Sequence, residues 1–351
     1  RVLKPGELLL DLYTSPDTTI VLALTTSEAR AYGVPTGTSL ARRLRSLRDL
    51  LASRTETTPP RAAQLALGSE IFGPAADLIT RSNRVVLSAG ALALFALDQL
   101  IVPGESQPLS NAREVTWTPS ASALASARSA APGRFKRTLF AVSQSQPLEG
   151  AALPAARREV AWLSQQFAGT DVVSDAAVQS AEQVARRASG YQIVHFAAHT
   201  RSGGRRPWQD ALHVAAGSRD DAWLTAAQIA QLRVPAQLCV LAGCATLGND
   251  SQWGETLDGL ATAWLIAGAR TVIATRWDVD DDATSELVRR FYDRLAAGDH
   301  TAAALRRAQL EMRVQPRYER PFYWAGVFLL GEPETRVVLT RRSTGVGAPR
   351  R

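Results

Sequence analysis

Two apolar stretches in the second half of the chain decide the fold class. Residues 191–199 read YQIVHFAAH, and residues 237–244 read QLCVLAGC. Both runs are rich in β-branched and other apolar residues, which is typical of strands buried on both faces of a parallel sheet. The first run ends on His199 and the second on Cys244, two reactive side chains. If the two strands are parallel neighbours, both side chains emerge at one edge of the sheet, where such sheets bind their ligands.

The sequence around these runs alternates between strand-like and helix-like segments. Strands are predicted at residues 138–142, 171–173, 191–197, 237–242 and 271–277. Helices are predicted between and after them, at residues 154–167, 178–189, 225–232, 255–267 and 282–297. This alternation predicts an α/β fold with a mostly parallel sheet and helices on both faces.

The first third of the chain shows a similar mixture. Residues 7–13 and 19–25 are short apolar runs that can pair through a turn at residues 15–17. Leucines at helical spacing follow over residues 39–53, and a second helical stretch at 62–79 precedes a buried strand at 84–88.

A change in composition predicts the domain boundary. Residues 117–134 (WTPSASALASARSAAPGR) are rich in Ser, Ala, Pro and Gly, which is typical of a segment between two units. We therefore predict an N-terminal unit over residues 1–133, a second unit over 134–340 and a disordered basic tail over 341–351. A chain of 351 residues, 46% of them apolar, is long enough for two such units and excludes a disordered protein.

The net charge of +7 by itself suggests a nucleic-acid partner, but the distribution of the charged residues does not support one. The chain has 40 basic and 33 acidic residues, but residues 341–351 hold four arginines and no acid. The remaining 340 residues are close to neutral, so a nucleic-acid partner is not expected and the tail is interpreted as a solvated end. We also expect no membrane association, because no apolar run approaches the ~20 residues of a membrane span.

The two cysteines, Cys239 and Cys244, differ in their predicted roles. They lie five residues apart on one predicted strand, so they are poorly placed for a disulfide, and they are too few for a structural zinc site. A reducing, cytoplasmic location is therefore expected. Cys239 lies inside the apolar run and is interpreted as a buried, inert thiol. Cys244 lies at the strand end, where a thiolate could attack a carbonyl if His199 handled its proton.

The neighbouring histidine, His195, is not expected to join this site. On a helix, His195 and His199 would lie one turn apart and could bind zinc, but the run is predicted to be a strand. A strand separates them by about 13 Å along its axis, so His195 is interpreted as a packed, hydrogen-bonded core residue.

An acidic run, DVDDD at residues 278–282, follows the last predicted strand. It lacks the Gly and Glu of a calcium-binding loop, so no metal is expected there. Asp281 and Asp282 are predicted to cap the following helix and complement its dipole. Asp278 and Asp280 remain free to form an acidic specificity pocket for a basic side chain, unless Asp278 pairs with Arg276 or Arg270.

The second unit resembles the CHAT-domain family of caspase-like cysteine peptidases, relatives of caspases and separases. Six stretches match in order: IVHFAAH (193–199), LTAAQI (224–229), VLAGC (240–244), GLATAWLIAGA (259–269), RWDVDD (276–281) and WAGVFLLG (324–331). The N-terminal unit is similar to the degenerate caspase-like domain that precedes the catalytic unit in this family, through PGELL (5–9) and RVVLSAG (84–90).

The resemblance implies a caspase-like fold and a cysteine endopeptidase that needs no cofactor. It places a catalytic dyad on His199 and Cys244, with an oxyanion site at the backbone of Cys244 and Thr200. The family normally has glycine where this chain has Thr200. The implied partners are a protein substrate and an activating or regulatory protein or domain. The start of the chain at Arg1 instead of Met fits regulatory sequence outside it.

Thr200 also keeps a second interpretation open. A threonine does not easily adopt positive φ, so the oxyanion geometry of an active enzyme is not guaranteed. The alternative is a catalytically degraded caspase-like scaffold that binds partner proteins.

Overall fold

The structure is a computed structural model that describes most of the chain, namely residues 2–15, 17–35, 37–56, 60–129, 133, 135–145, 152–174, 180–203, 206–215, 221–243 and 259–342. Its strands are β1 (Glu7–Thr14), β2 (Thr18–Leu24), β3 (Ala29–Pro35), β4 (Arg84–Ser88), β5 (Glu114–Trp117), β6 (Arg137–Gln144), β7 (Thr170–Ser174), β8 (Tyr191–Ala198), β9 (Thr200–Arg201), β10 (Ala211–His213), β11 (Trp223–Thr225), β12 (Leu238–Leu241), β13 (Thr271–Thr275) and β14 (Val327–Gly331).

The helices are α1 (Gly37–Leu51), α2 (Arg61–Phe72), α3 (Ala76–Arg81), α4 (Leu109–Ala112), α5 (Ala121–Ser129), α6 (Pro154–Gln166), α7 (Ala181–Ala188), α8 (Ala226–Ala230), α9 (Leu260–Ile266), α10 (Asp281–Ala296) and α11 (Thr301–Arg313). Short 3-10 helices cover Gly73–Ala75, Gly90–Phe95, Leu97–Gln99, Pro207–Gln209 and Pro321–Tyr323.

Within these described residues, eleven strands form one sheet in the order β3-β2-β1-β4-β5-β14-β13-β12-β8-β6-β7. The pairs β1–β4, β4–β5, β6–β7, β6–β8, β8–β12 and β12–β13 are parallel. The predicted hairpin is confirmed, since β1 and β2 are antiparallel, and β13–β14 is antiparallel as well. The prediction of a mostly parallel α/β sheet is therefore confirmed.

Successive side chains of β8 show that helices cover both faces of the sheet. His195 is hydrogen-bonded to Glu159 of α6 and lies beside Tyr292 of α10. The next residue, Phe196, packs on the ring of Trp264 of α9, with the ring centroids 5.1 Å apart. Because consecutive side chains of a strand point to opposite faces, α6 and α10 cover one face and α9 the other.

The predicted linker contains a packed helix. Residues 121–129 form α5, and Leu124 on it is 1% exposed. Alanine is the best helix former, so an Ala-rich stretch that composition assigns to a linker can also fold. The two halves of the chain share the sheet and one hydrophobic core that includes Leu8, Val85, Phe196 and Trp264. The division into two domains at residue 133 stays a prediction.

The halves meet at β5 and β14, which pair at Trp117 and Leu330. The Thr116 hydroxyl donates to the carbonyl of Gly331 at 2.9 Å. Beside this seam, a cluster of ion pairs joins the start of β1 and β4 to α5 and to the residues after β14. Its members are Lys4, Glu7, Arg84, Arg128, Glu332 and Glu334.

The first two residues of the predicted basic tail contact the rest of the fold. Arg341 pairs with Asp293 of α10 at 2.7 Å, and the backbone N–H of Arg342 donates to Gln166 at 2.8 Å. These contacts hold residues 341 and 342 against α6 and α10. Residues 343–351 lie outside the described part of the chain. No helix in the described part is both long and apolar enough to cross a membrane.

Candidate active site

The strands β8 and β12 are parallel neighbours in the sheet, so the condition for a shared site at their ends is met. Leu241 lies opposite Phe196, and the N–H of Ala242 donates to the carbonyl of Phe196 at 2.8 Å. Both strands therefore finish at the same edge. His199 follows the end of β8 directly, and Gly243 follows the end of β12 after one residue.

Gly243 brings the two strand ends into close contact. A β-carbon at residue 243 would lie 2.5 Å from the carbonyl oxygen of Ala198 and 3.2 Å from the Thr200 Cγ2 atom. Only glycine fits so near to a neighbouring backbone. On the other side, the hydroxyl of Thr275 at the end of β13 donates to the Gly243 carbonyl at 2.6 Å. The residue just before Cys244 is thus fixed between the ends of β8 and β13.

A small antiparallel sheet holds the backbone of His199. The strands β9, β10 and β11 form this sheet, and the N–H of His213 in β10 donates to the carbonyl of His199 at 2.9 Å. His213 is itself buried and stacks on Trp223 of β11, with ring centroids 4.9 Å apart. The side chain of His199 is half-buried. His199 is thus anchored through its backbone, and although its side chain is only half-buried, its Nε2 atom is shielded from solvent.

Thr200 occupies a strand position, opposite Leu212 in the β9–β10 pair. Among the described non-glycine residues, only Ala96 has a positive φ. The backbone at Thr200 therefore needs no left-handed conformation, and the β-branched side chain is compatible with its strand. The proposed oxyanion role of its N–H stays a prediction.

The predicted nucleophile, Cys244, lies outside the described residues, as do residues 245–258. The other cysteine, Cys239, is described. It is fully buried within β12, and this burial raises the pKa of its thiol well above its ordinary value. A thiol with a raised pKa is poorly nucleophilic, which agrees with its interpretation as a packing residue.

The interpretation of His195 as a buried, hydrogen-bonded core residue is confirmed. Its Nε2 lies 2.8 Å from Glu159 Oε1, and its Nδ1 lies 3.2 Å from the Tyr292 hydroxyl. All three side chains are buried. Burial also raises the pKa of Tyr292, and the charge of Glu159 raises it further, so the phenol stays protonated. In the described part of the chain, no group of three or more His, Cys, Asp or Glu residues could hold a metal ion.

Within the acidic run 278–282, the aspartate that caps α10 differs from the prediction. Asp280, not Asp281 or Asp282, is the N-cap of α10, and its Oδ1 accepts the N–H of Ala283 at 3.0 Å. Asp281 accepts the N–H of Ala155 at the start of α6, and Asp282 pairs with Arg158. The helix begins one residue earlier than predicted, so the capping position moves to Asp280.

Asp278 is exposed and lines a pocket of about 510 Å³ beyond the end of β13. Its neighbour Trp277 donates from Nε1 to the carbonyl of Phe322 at 3.2 Å, which fixes the wall of this pocket. The lining residues are Arg48, Ala52, Arg54, Trp277, Asp278 and Phe322. The first three come from the N-terminal half, and nothing in the sequence signals that they meet Asp278. The role of Asp278 and Asp280 as a specificity pocket stays a prediction.

Arg276 does not serve as the partner of Asp278. Its guanidinium is fully buried between the rings of Trp117 and Phe328, and it pairs with Asp98 at 2.7 Å. Its Nε donates to the carbonyl of Ala93 at 3.0 Å. Burial lowers the pKa of Arg276, and the nearby Asp98 carboxylate offsets part of that effect. Arg276 therefore connects the strand that precedes the acidic run to the N-terminal half.

A family model for the CHAT domain matches residues 44–332, which is most of the chain. The chain belongs to the CHAT domain family. The match begins in α1 and ends after β14, so this CHAT domain draws on both halves of the sheet.

The CHAT domain is also similar to curated proteins over a shorter stretch. Tetratricopeptide repeat protein 28 of Homo sapiens is 32% identical over 108 residues, and its Mus musculus counterpart is 32% identical over 111 residues. Each match covers 31% of this chain and 4% of the relative. The chain thus spans only a small part of the length of these relatives.

Solved structures show the fold of the CHAT domain. Separase in the Saccharomyces cerevisiae separase–securin complex has a TM-score of 0.61 at 10% identity, covering 96% of this chain and 30% of that one. The Arg-specific cysteine proteinase gingipain R has a TM-score of 0.50 at 10% identity, covering 85% and 76%. Both are caspase-like cysteine peptidases, so the predicted caspase-like fold is confirmed.

Proposed function

We propose that this CHAT domain is a cysteine endopeptidase that uses His199 and Cys244. The observation that carries the proposal is the close approach of Gly243 to the Ala198 carbonyl and to the Thr200 side chain, which places the residue before Cys244 beside the two residues that flank His199. A base and a thiol on adjacent parallel strand ends are the minimum set for thiolate catalysis.

In the proposed reaction, His199 takes the thiol proton and the Cys244 sulfur attacks the carbonyl carbon of the scissile peptide bond. The backbone N–H groups of Thr200 and Cys244 stabilise the oxyanion that forms. The C–N bond then breaks, His199 protonates the leaving amine, and the acyl group remains on sulfur as a thioester. Water, deprotonated by His199, hydrolyses the thioester and restores the thiol.

Asp278 and Asp280 are the proposed specificity residues for a basic side chain of the substrate. Asp278 is exposed beyond the end of β13, next in the sheet to β12, and one oxygen of Asp280 remains outside the helix cap. The substrate is a protein. A regulatory partner protein is proposed as well, in line with the separase–securin complex and with relatives named for tetratricopeptide repeats.

Thiol labelling can test this proposal directly, because the chain has only two cysteines. A chloromethyl ketone peptide with arginine at its reactive end is incubated with the protein, and mass spectrometry measures the labelling rate of each thiol. We expect Cys244 to react at least about tenfold faster than glutathione at pH 7, because an imidazole neighbour increases the thiolate fraction. Cys239 is the internal control and should stay unlabelled in the folded protein.

The His199→Ala variant should lose this excess reactivity at Cys244 and keep the protection of Cys239. Cleavage of candidate protein substrates is measured in parallel with the Cys244→Ala variant. If Cys244 reacts no faster than glutathione, or if cleavage persists without it, the peptidase proposal fails. A non-catalytic scaffold that binds partner proteins would then be the better description.

A further inference from the structure

The pocket beyond β13 is lined by two basic side chains from the N-terminal half of the same chain, Arg48 and Arg54. Arg54 lies in the turn that follows α1, 224 positions before Asp278 in the sequence, and both line the pocket together with Phe322. The proposed specificity pocket is therefore not purely acidic.

The position of Arg54 is set by a ring and a carboxylate. Its guanidinium carbon lies 4.9 Å from the centroid of the Phe322 ring, and its Nη2 lies 3.8 Å from Asp280 Oδ2. The carbonyl of Arg54 accepts a hydrogen bond from Arg320, which anchors its backbone to the second half of the chain. An aromatic face and a carboxylate are the two groups that a pocket offers to a bound guanidinium.

We propose that Arg54 is a specificity-determining residue that occupies, from within the chain, the place of a basic substrate side chain. The inference rests on the proposed function, since it assigns the pocket lined by Asp278 to substrate binding. A basic side chain of the substrate then has to displace Arg54 from Phe322 and Asp280 before it can bind.

The contacts of Arg54 are weak enough to be displaced. Its side chain is 60% exposed, and 3.8 Å is a long separation for an ion pair. Exposed pairs and exposed cation–ring contacts contribute little each, because water screens them and ordering the side chain costs entropy. Arg54 therefore competes with a basic substrate side chain for the pocket and does not block it permanently.

The experiment measures binding to the pocket without relying on cleavage. N-acetyl-arginine amide is titrated by calorimetry into the Cys244→Ala protein and into the same protein carrying Arg54→Ala or Arg54→Gln. We expect both Arg54 variants to bind the probe about threefold to thirtyfold more tightly, which is the combined size of the contacts that it no longer has to break. The uncharged probe N-acetyl-glutamine amide should show no such gain.

Two further variants show where the probe binds. Asp280→Asn added to Arg54→Ala should abolish the gain, since it removes the carboxylate charge that Arg54 itself contacts and keeps an oxygen for the helix cap. Arg61→Ala is the matched control, because Arg61 is an exposed arginine seven residues further on that contacts Ser106 and does not line the pocket. It should bind the probe as the parent does.

Three results would overturn the inference: equal affinity with and without Arg54, absence of probe binding to both folded Arg54 variants, or a gain that persists in the Asp280→Asn background. Failure of the proposed function has a different signature, namely an unreactive Cys244 in the labelling experiment. A tighter probe with an unreactive Cys244 would leave Arg54 as the occupant of a binding pocket and remove the peptidase.

Discussion

The two halves of the sheet differ most at the edge where β8 and β12 end. In the N-terminal half, β4 leads into the 3-10 helix Gly90–Phe95, where Leu92, Ala93 and Phe95 are buried. Arg276 follows β13 and donates to the carbonyl of Ala93, so this apolar segment lies at the same edge. In the C-terminal half, the strand ends lead to the half-buried His199 and the exposed Asp278.

The two halves of the sheet therefore differ in what their strand ends present. Apolar side chains close the edge in one half, whereas the other half places a half-buried histidine and an exposed carboxylate there. The closed half still contributes to the site, because Arg48, Ala52 and Arg54 form one wall of the pocket around Asp278. Under the proposed function, the half without an evident dyad would therefore take part in selecting the substrate.

We expect the largest effect, on the cleavage rate, from removing a side chain at a strand end of the C-terminal half. His199→Ala should lower Cys244-dependent cleavage by about 10³-fold or more, because the base and the thiol act as one unit. Ser88→Ala at the end of β4 is the control in the closed half, and it should change the rate less than about twofold. Steady-state kinetics on one substrate measures both. A similar loss in both variants would mean that the edge acts through stability and not through chemistry.

The next largest effect, on the unfolding free energy, is expected at the Arg276–Asp98 pair that connects the two halves. Arg276→Ala removes a fully buried cation and leaves Asp98 buried without its partner, which should cost about 3–5 kcal/mol of unfolding free energy. Urea denaturation measures the loss. The double variant Asp98→Ala with Arg276→Met should recover part of it, since neither charge then remains. A loss below about 1 kcal/mol for the single variant would contradict this role of the pair.

A smaller effect is expected inside the C-terminal half. Tyr292→Phe removes one hydrogen bond to His195 from a fully buried site, which should cost about 1 kcal/mol. Tyr13→Phe is the control, because Tyr13 is 76% exposed, and it should stay within about 0.5 kcal/mol of the parent. Thermal or urea unfolding compares the two. Equal effects would show that the buried hydroxyl contributes nothing particular.

The smallest effect concerns pH and the ion pairs beside the seam. Burial alone would raise the pKa of Glu334, but the hydrogen bond and charge of Lys4 and the charge of Arg84 outweigh it and lower that pKa from 4.5 to about 2. A lowered pKa in the folded state stabilises the fold above pH 4.5, and this contribution is lost as the pH falls towards 2. Glu334→Gln should therefore flatten the acid limb of the stability curve, measured by urea unfolding from pH 6 to pH 2. An unchanged acid limb would exclude Glu334 from the acid response.

The sequence was sufficient for those parts of the fold that depend on local pattern. The apolar runs 191–198 and 84–88 form strands because their β-branched and apolar side chains fit a sheet that is covered on both faces. The common edge at which β8 and β12 end follows from their parallel pairing, whereas the meeting of His199 with Cys244 stays a prediction.

Contacts between distant segments could not be predicted in this way. The pairing of Trp117 with Leu330, which makes one sheet of two halves, has no local signal. The same holds for Arg54 beside Asp280 and for Arg276 with Asp98, since each depends on how separate elements pack. The cap of α10 was misplaced because four carboxylates in a row of five residues all suit a helix start, and only the backbone selects Asp280.

Gly243 has a consequence for how this site could change over time. The space for a side chain there is already filled by the Ala198 carbonyl, so mutation has almost no room to adjust the spacing between the two strand ends. Under the proposed function, adaptation to a new substrate would then have to proceed through the pocket wall, at positions such as 48, 54 and 278, while the spacing of the ends of β8 and β12 stays the same.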